Sequence, residues 1–152
     1  MKILDVLSKE AVNVDLKAKD KKGILDELVY PIAQMTSIPS DELVKVLIER
    51  ERLGSTGIGG GIGIPHGKFK NLESLMLGFG LSRQGVDFES IDGRPTHIFF
   101  LLLTPENSAG LHLKLLAQIS RLLKNDEFKT QLTQCDSVEK VFDIISAKDE
   151  EF

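Results

Sequence analysis

Any chemistry in this chain must begin at its histidines, and one of the three stands in an unusual place. His66 stands near the end of the stretch GSTGIGGGIGIPHGK, residues 54–68. Glycine loses more backbone freedom on folding than any other residue, so its density here needs a reason. Such a loop can take dihedral angles closed to other residues and bring backbone N–H groups close to an anion. Ile62 and Ile64 flank Gly63 as a short strand entering Pro65. Proline fixes its own φ and pushes Ile64 into an extended conformation, so His66 emerges at a defined point at a strand end. Gly67 is read as leaving one side of the imidazole uncrowded. A rigidly held histidine among backbone donors suits a nucleophile for an anionic group. A tight surface turn that includes a histidine has the same spacing, which alone does not separate the two.

The other histidines sit in ordinary contexts. His112 shares a helical face with Leu116, Ile119 and Leu123, so it lies on or beside a buried stripe in the first turns of its helix. It reads either as a core histidine with one hydrogen-bond partner or as a donor to an anion held over His66. His97 opens an apolar strand and reads as structural. Several specific chemistries are excluded by spacing. A P-loop needs glycine where Ile62 stands, and Phe69 replaces the Ser or Thr that would hold magnesium. The dinucleotide fingerprint fails at Ile62 or Ile64, depending on the glycine from which it is started, and the stretch follows a helix rather than a strand. The histidines lack zinc-site spacing, and no G-x-S-x-G serine elbow occurs.

The elements that must position these residues are legible from periodicity. Val12, Val14, Leu16 and Ala18 alternate as a half-buried strand. Asp20 caps a helix bearing Ile24, Leu25, Leu28, Val29 and Ile32, with Pro31 as a kink or end. Ser40 is expected to cap a second helix, with Asp41 and Glu42 at its positive dipole end, a stripe of Leu43, Val44, Leu47 and Ile48, and Gly54 as its stop. Leu75, Leu77, Phe79 and Leu81 predict a strand. HIFFLLLTP, residues 97–105, predicts a central strand covered on both faces. Leu111–Leu123 is a helix, and Ser137 caps a last one bearing Val138, Val141, Phe142 and Ile145. The alternation predicts one α/β domain over residues 1–152, a mixed sheet flanked by helices on both faces.

Composition narrows the class of partner. Hydrophobic residues make up 41% and charged residues 28%, as in soluble globular proteins. A net charge of -4 argues against nucleic acid, whose phosphates need a basic face. The single cysteine, Cys135, fits a reducing compartment, and the N-terminal residues form no uninterrupted apolar leader. No stretch reaches the ~18 apolar residues of a membrane span. A cytoplasmic protein without membrane insertion is expected.

The segments ERERLGSTGIGGGIGIPHGK, DGRPTHIFFLLLTPE and HLKLLAQISRLL, in that order, resemble the enzyme IIA domain of the fructose/mannitol class of the bacterial phosphotransferase system. The chain is most similar to the stand-alone nitrogen-regulatory branch, over nearly its whole length. The resemblance implies that His66 accepts a phosphoryl group, as tele-phosphohistidine, from a phosphohistidine carrier protein. It implies that His112 assists, that Arg50 stabilises the phosphoryl group, and that Ser55 and Thr56 support the loop. Gly60 and Gly63 depart from the family's usual Asn and Ala, which bears on loop rigidity and partner preference. No metal and no cofactor is implied, because transfer between histidines needs mainly alignment and charge stabilisation.

Two functions follow from the resemblance. In the favoured one, phosphorylation of a regulatory protein selects partners such as potassium-uptake components or sensor kinases. In the alternative, a sugar-specific IIA protein passes the group to a IIB domain for fructose/mannitol-type uptake. No IIB or IIC segment occurs within these residues, which favours the regulatory reading.

Overall fold

The computed structural model describes residues 2–149. After a 3-10 turn at Ile3–Asp5, the elements are β1 (Leu7–Asn13), α1 (Lys21–Thr36), α2 (Ser40–Arg52), β2 (Gly57–Gly59), β3 (Ile62–Gly63), β4 (His66–Phe69), β5 (Met76–Val86), β6 (Thr96–Pro105), α3 (Ala109–Leu122), α4 (Asp126–Thr133) and α5 (Val138–Asp149). The apolar run forms β6, the centre of a mixed six-stranded sheet. β5 pairs with it antiparallel on one side, and β1 adds to β5 in parallel. On its other side β3 and then β4 pair with β6 in parallel, and β2 pairs antiparallel with β3.

Strand alternation sorts the core into two layers. Phe99, Leu101 and Leu103 of β6 pack with Ile24, Leu25, Leu28, Leu43 and Leu47 of α1 and α2. Ile98, Phe100 and Leu102 pack with Leu115, Ile119, Phe128, Leu132, Val141 and Ile145 of α3, α4 and α5. The expected single α/β domain with helices on both faces is the observed one. In β5 Gly78 and Gly80 face α1, where a Cβ on Gly80 would stand 2.6 Å from the side chains of Leu16 and Leu28. Close helix approach therefore explains why apolar residues alternate with glycine there.

Four local expectations need correction. The first strand covers residues 7–13 rather than 12–18. Leu7, Ala11 and Val12 are the buried residues that join the sheet, while Leu16 is held beyond the strand by its N–H donating to the Leu81 carbonyl. Of the two readings of Pro31, a helix end is overturned: the helix continues to Thr36 with Ile32 and Ala33 buried, and tertiary packing outweighs the lost hydrogen bond. Pro39, not Ser40, occupies the N-cap of α2, and no side chain caps it; the Asp41 and Glu42 carboxylates serve the dipole from the first turn. The helix α4 is absent from the sequence reading, although Asn125 caps it by accepting from the Phe128 N–H. Asp20 and Ser137 behave as expected, accepting from the N–H groups of Gly23 and Lys140.

Candidate phosphoryl-acceptor site

The sheet edge positions His66. In the parallel register His66 lies opposite Leu102 and Gly67 opposite Leu103, so the two residues face opposite layers. Gly67 points towards α2, where a Cβ would lie 3.2 Å from Val46 Cγ1. Gly67 thus admits the close packing of α2, and it also lines the groove that holds the imidazole. Glycines 59, 60 and 61 have φ of 92°, 66° and 81°, the left-handed region that side chains other than Asn and Asp rarely enter. The Asp92 carboxylate, accepting from the Gly60 N–H, and Lys129 Nζ, donating to the Gly60 carbonyl, tie down the loop tip.

His66 is half-buried, and its Nδ1 lies 2.7 Å from the Ile64 carbonyl oxygen. A carbonyl only accepts, so Nδ1 carries the proton and the neutral ring presents an unprotonated Nε2. Burial lowers the His66 pKa, the Ile64 carbonyl raises it, and the Arg50 guanidinium lowers it again. The ring is therefore neutral at pH 7, the form a nucleophile requires.

His112, in the first turn of α3, stands with its ring centroid 5.4 Å from that of His66. It is 5% exposed, and its Nδ1 lies 2.6 Å from Oγ1 of Thr104, which is fully buried on β6. Burial first, then the proximity of His66 and Lys68, lowers its pKa to about 4. The two histidines, 46 positions apart in sequence, share one groove of about 480 Å³ with Arg50, Lys68, Leu53 and Leu113. Arg50 Nη1 donates to the Gly54 carbonyl, which holds the guanidinium beside the loop and leaves its other N–H groups unassigned to that bond. Leu53 and Leu113, 86% and 67% exposed, give the groove an apolar rim. Ser55 and Thr56 lie outside the groove, at the root of the loop. Ser55 Oγ donates to the Phe88 carbonyl and accepts from the Gly57 N–H, and Thr56 bonds to Glu51.

Sequence reasoning missed Thr104, Lys68 and Glu51. Thr104 and Lys68 occupy positions that only the tertiary pairing of β4 with β6 brings together. Glu51 left a readable signal: a carboxylate in register with Leu43 and Leu47 on the buried stripe of α2.

A neutral histidine with an unprotonated Nε2, a second histidine, an arginine and a lysine around one groove are groups suited to binding an anion by alignment and charge. The family model described as "Phosphoenolpyruvate-dependent sugar phosphotransferase system, EIIA 2" matches residues 5–148, and the chain belongs to that family. Its members accept phosphoryl groups and transfer them, working with phosphocarrier proteins and IIB domains. Within the family the chain is similar to the nitrogen regulatory protein of Bradyrhizobium diazoefficiens, with 37% identity over 96% of this chain and 95% of that protein. It is 35% identical to the fructose-specific EIIABC component of Bacillus subtilis over 98% of its own length, while spanning 24% of that larger protein. The crystal structure of nitrogen regulatory protein IIA-Ntr from Neisseria meningitidis superposes with a TM-score of 0.88 at 30% identity, covering 93% of this chain and 97% of that one.

Proposed function

We propose that this protein is a phosphoryl-accepting regulatory IIA protein in which His66 Nε2 takes the group from a phosphohistidine carrier. The observation that carries this reading is the bond from Nδ1–H of His66 to the Ile64 carbonyl. It leaves Nε2 as the nucleophile, and it stabilises the positive charge the ring gains when Nε2 bonds to phosphorus. His112 assists if Thr104 donates its hydroxyl proton to Nδ1, because Nε2–H of His112 is then free to bond a phosphoryl oxygen. Arg50 and Lys68 balance the charge of about -1.5 to -2 that the group brings. Ser55 and Thr56 support the loop from its root. The exposed Leu53 and Leu113 suit a protein partner that closes over the groove during transfer.

Regulation then works through charge. Phosphate placed in a groove rimmed by Leu53 and Leu113 disfavours an apolar or acidic partner face and favours one bearing arginine. Potassium-uptake components and sensor kinases are the kinds of target that fit, in the cytoplasm. Relay to a IIB domain for sugar uptake is the second reading, favoured by the likeness to the fructose-specific protein. The test is labelling by a phosphorylated carrier. Wild type takes one phosphoryl group and His66→Ala takes none while keeping its fold; full labelling of His66→Ala refutes the assignment. Equal binding of every regulatory partner to phosphorylated and unphosphorylated protein, together with transfer to a IIB cysteine, would favour the second reading.

A further inference from the structure

Glu51 is only 8% exposed, at the C-terminal end of α2, yet it lines no part of the groove. A buried carboxylate is unfavourable unless its lone pairs are taken up. Here they are. Oε1 accepts from Lys21 Nζ at 2.9 Å and from the Thr56 backbone N–H at 3.0 Å, and Oε2 accepts from the Thr56 hydroxyl at 2.5 Å. Lys21, at the first turn of α1, also pairs with Glu89 at 3.0 Å and stands 4.7 Å over the Phe88 ring.

From Thr56 the bonding continues to the reacting ring. The Thr56 carbonyl accepts from the Ile64 N–H at 3.0 Å, and the Ile64 carbonyl accepts from Nδ1–H of His66 at 2.7 Å. Between Thr56 and Ile64 lie the glycines with positive φ, residues with the widest choice of backbone conformations once their contacts are lost. Asp92 and Lys129 hold the tip of that loop at Gly60, the His97 and Ile98 N–H groups hold Gly61, and the Glu51–Thr56 clamp holds its root. We infer that Glu51 is a positioning residue for phosphoryl transfer: by fixing both Thr56 donors it holds the Ile64 carbonyl in line with His66 Nδ1 and so sets the tautomer that exposes Nε2. This rests on His66 being the acceptor. Without the clamp the carbonyl leaves the line of the N–H, the bond weakens steeply with angle, and the ring also populates the tautomer whose Nε2 carries the proton and cannot attack.

The experiment uses full-length protein labelled with 15N in histidine, read by long-range 1H–15N spectra at neutral pH, beside initial rates of phosphorylation by the phosphohistidine carrier. Wild type shows His66 as one tautomer with the proton on Nδ1. Glu51→Gln, which keeps the shape but cannot accept both Thr56 donors while facing Lys21, shows a mixture of tautomers. Its rate constant falls about 10- to 100-fold, as for other outer partners that orient a reacting histidine, with the KM for the carrier unchanged. Thr56→Ser, retaining both donors, keeps the wild-type tautomer and rate, whereas Thr56→Val, lacking the hydroxyl, shifts both. A folded Glu51→Gln protein with a single Nδ1–H tautomer and the wild-type rate overturns the inference. Should Glu51→Gln fail to fold, the Thr56 pair decides: a difference between Ser and Val supports the clamp, and identical spectra and rates overturn it. Failure of the acceptor assignment looks different, because the label on wild type would then lie on another residue.

Discussion

Replacing His112 with alanine separates its two roles. The ring is 5% exposed and bonded to the fully buried Thr104 hydroxyl, so the substitution leaves a buried hydroxyl without a partner. That costs about 1–3 kcal/mol of stability, with a further cost for the vacated volume. A donor to developing charge in a closed site is worth roughly 2.7–4 kcal/mol. This groove is open on one side and His66 is half-buried, so the smaller loss of about 1.5–2.5 kcal/mol applies, a rate lower by about 10- to 100-fold. The assay is the initial rate of phosphoryl uptake from the carrier, taken well below the melting temperature of the variant and with circular dichroism to establish folding. Slow labelling that still resides on His66 is expected. A folded His112→Ala protein labelled at the wild-type rate would refute the assisting role, and label that disappears from His66 but survives in His66→Ala would invert the two histidines.

Arg50→Ala removes a partly exposed cation that lines the groove, so uptake slows about 10- to 100-fold with little loss of stability, as initial rates and thermal unfolding will show. Leu113→Ser, at a position 67% exposed, removes apolar docking area without adding charge beside the phosphoryl group, so it raises the KM for the carrier roughly tenfold and leaves kcat near wild type. Acid should destabilise the fold through His112. Its pKa is lowered to about 4 when folded, against about 6.5 when unfolded, so the unfolded chain binds the extra proton first. The stability it contributes is complete above pH 6.5 and is lost progressively towards pH 4, at most about 3 kcal/mol. Denaturant titrations of wild type and His112→Gln across that range check the sign, because the variant should lack this part of the slope.

Much of this was legible in the sequence where one physical signal dominated. The continuous apolar run at 97–105 is a strand buried on both faces, and Asp20 and Ser137 mark helix starts through their side-chain oxygens. The first strand lies earlier than its alternation implies because Val14 and Leu16 continue the pattern past the residues that pair with β5. Pro31 read as an interruption because its cost is local, whereas the burial of Ile32 and Ala33 that outweighs it is tertiary. At the site, Pro65 and the glycines pointed to His66, but the parallel pairing of β4 with β6 is what sets His66 beside α3, and it has no local signature. The sequence shows Gly67 beside His66, whereas its contact with Val46 of α2 comes only from tertiary packing. Glu51 continues the buried stripe of Leu43 and Leu47, but what its charge does there is fixed only by Lys21 and Thr56, which are distant or across a turn.

The direct test of the central claim is the position of the phosphorus. Protein labelled with 15N in histidine, phosphorylated by the carrier and read by 1H–15N and 31P spectra, should show phosphorus coupled to Nε2 of His66, with the proton retained on Nδ1 and the shift absent from His66→Ala. Phosphorus on Nδ1 of His66, or on either ring nitrogen of His112, would contradict the account.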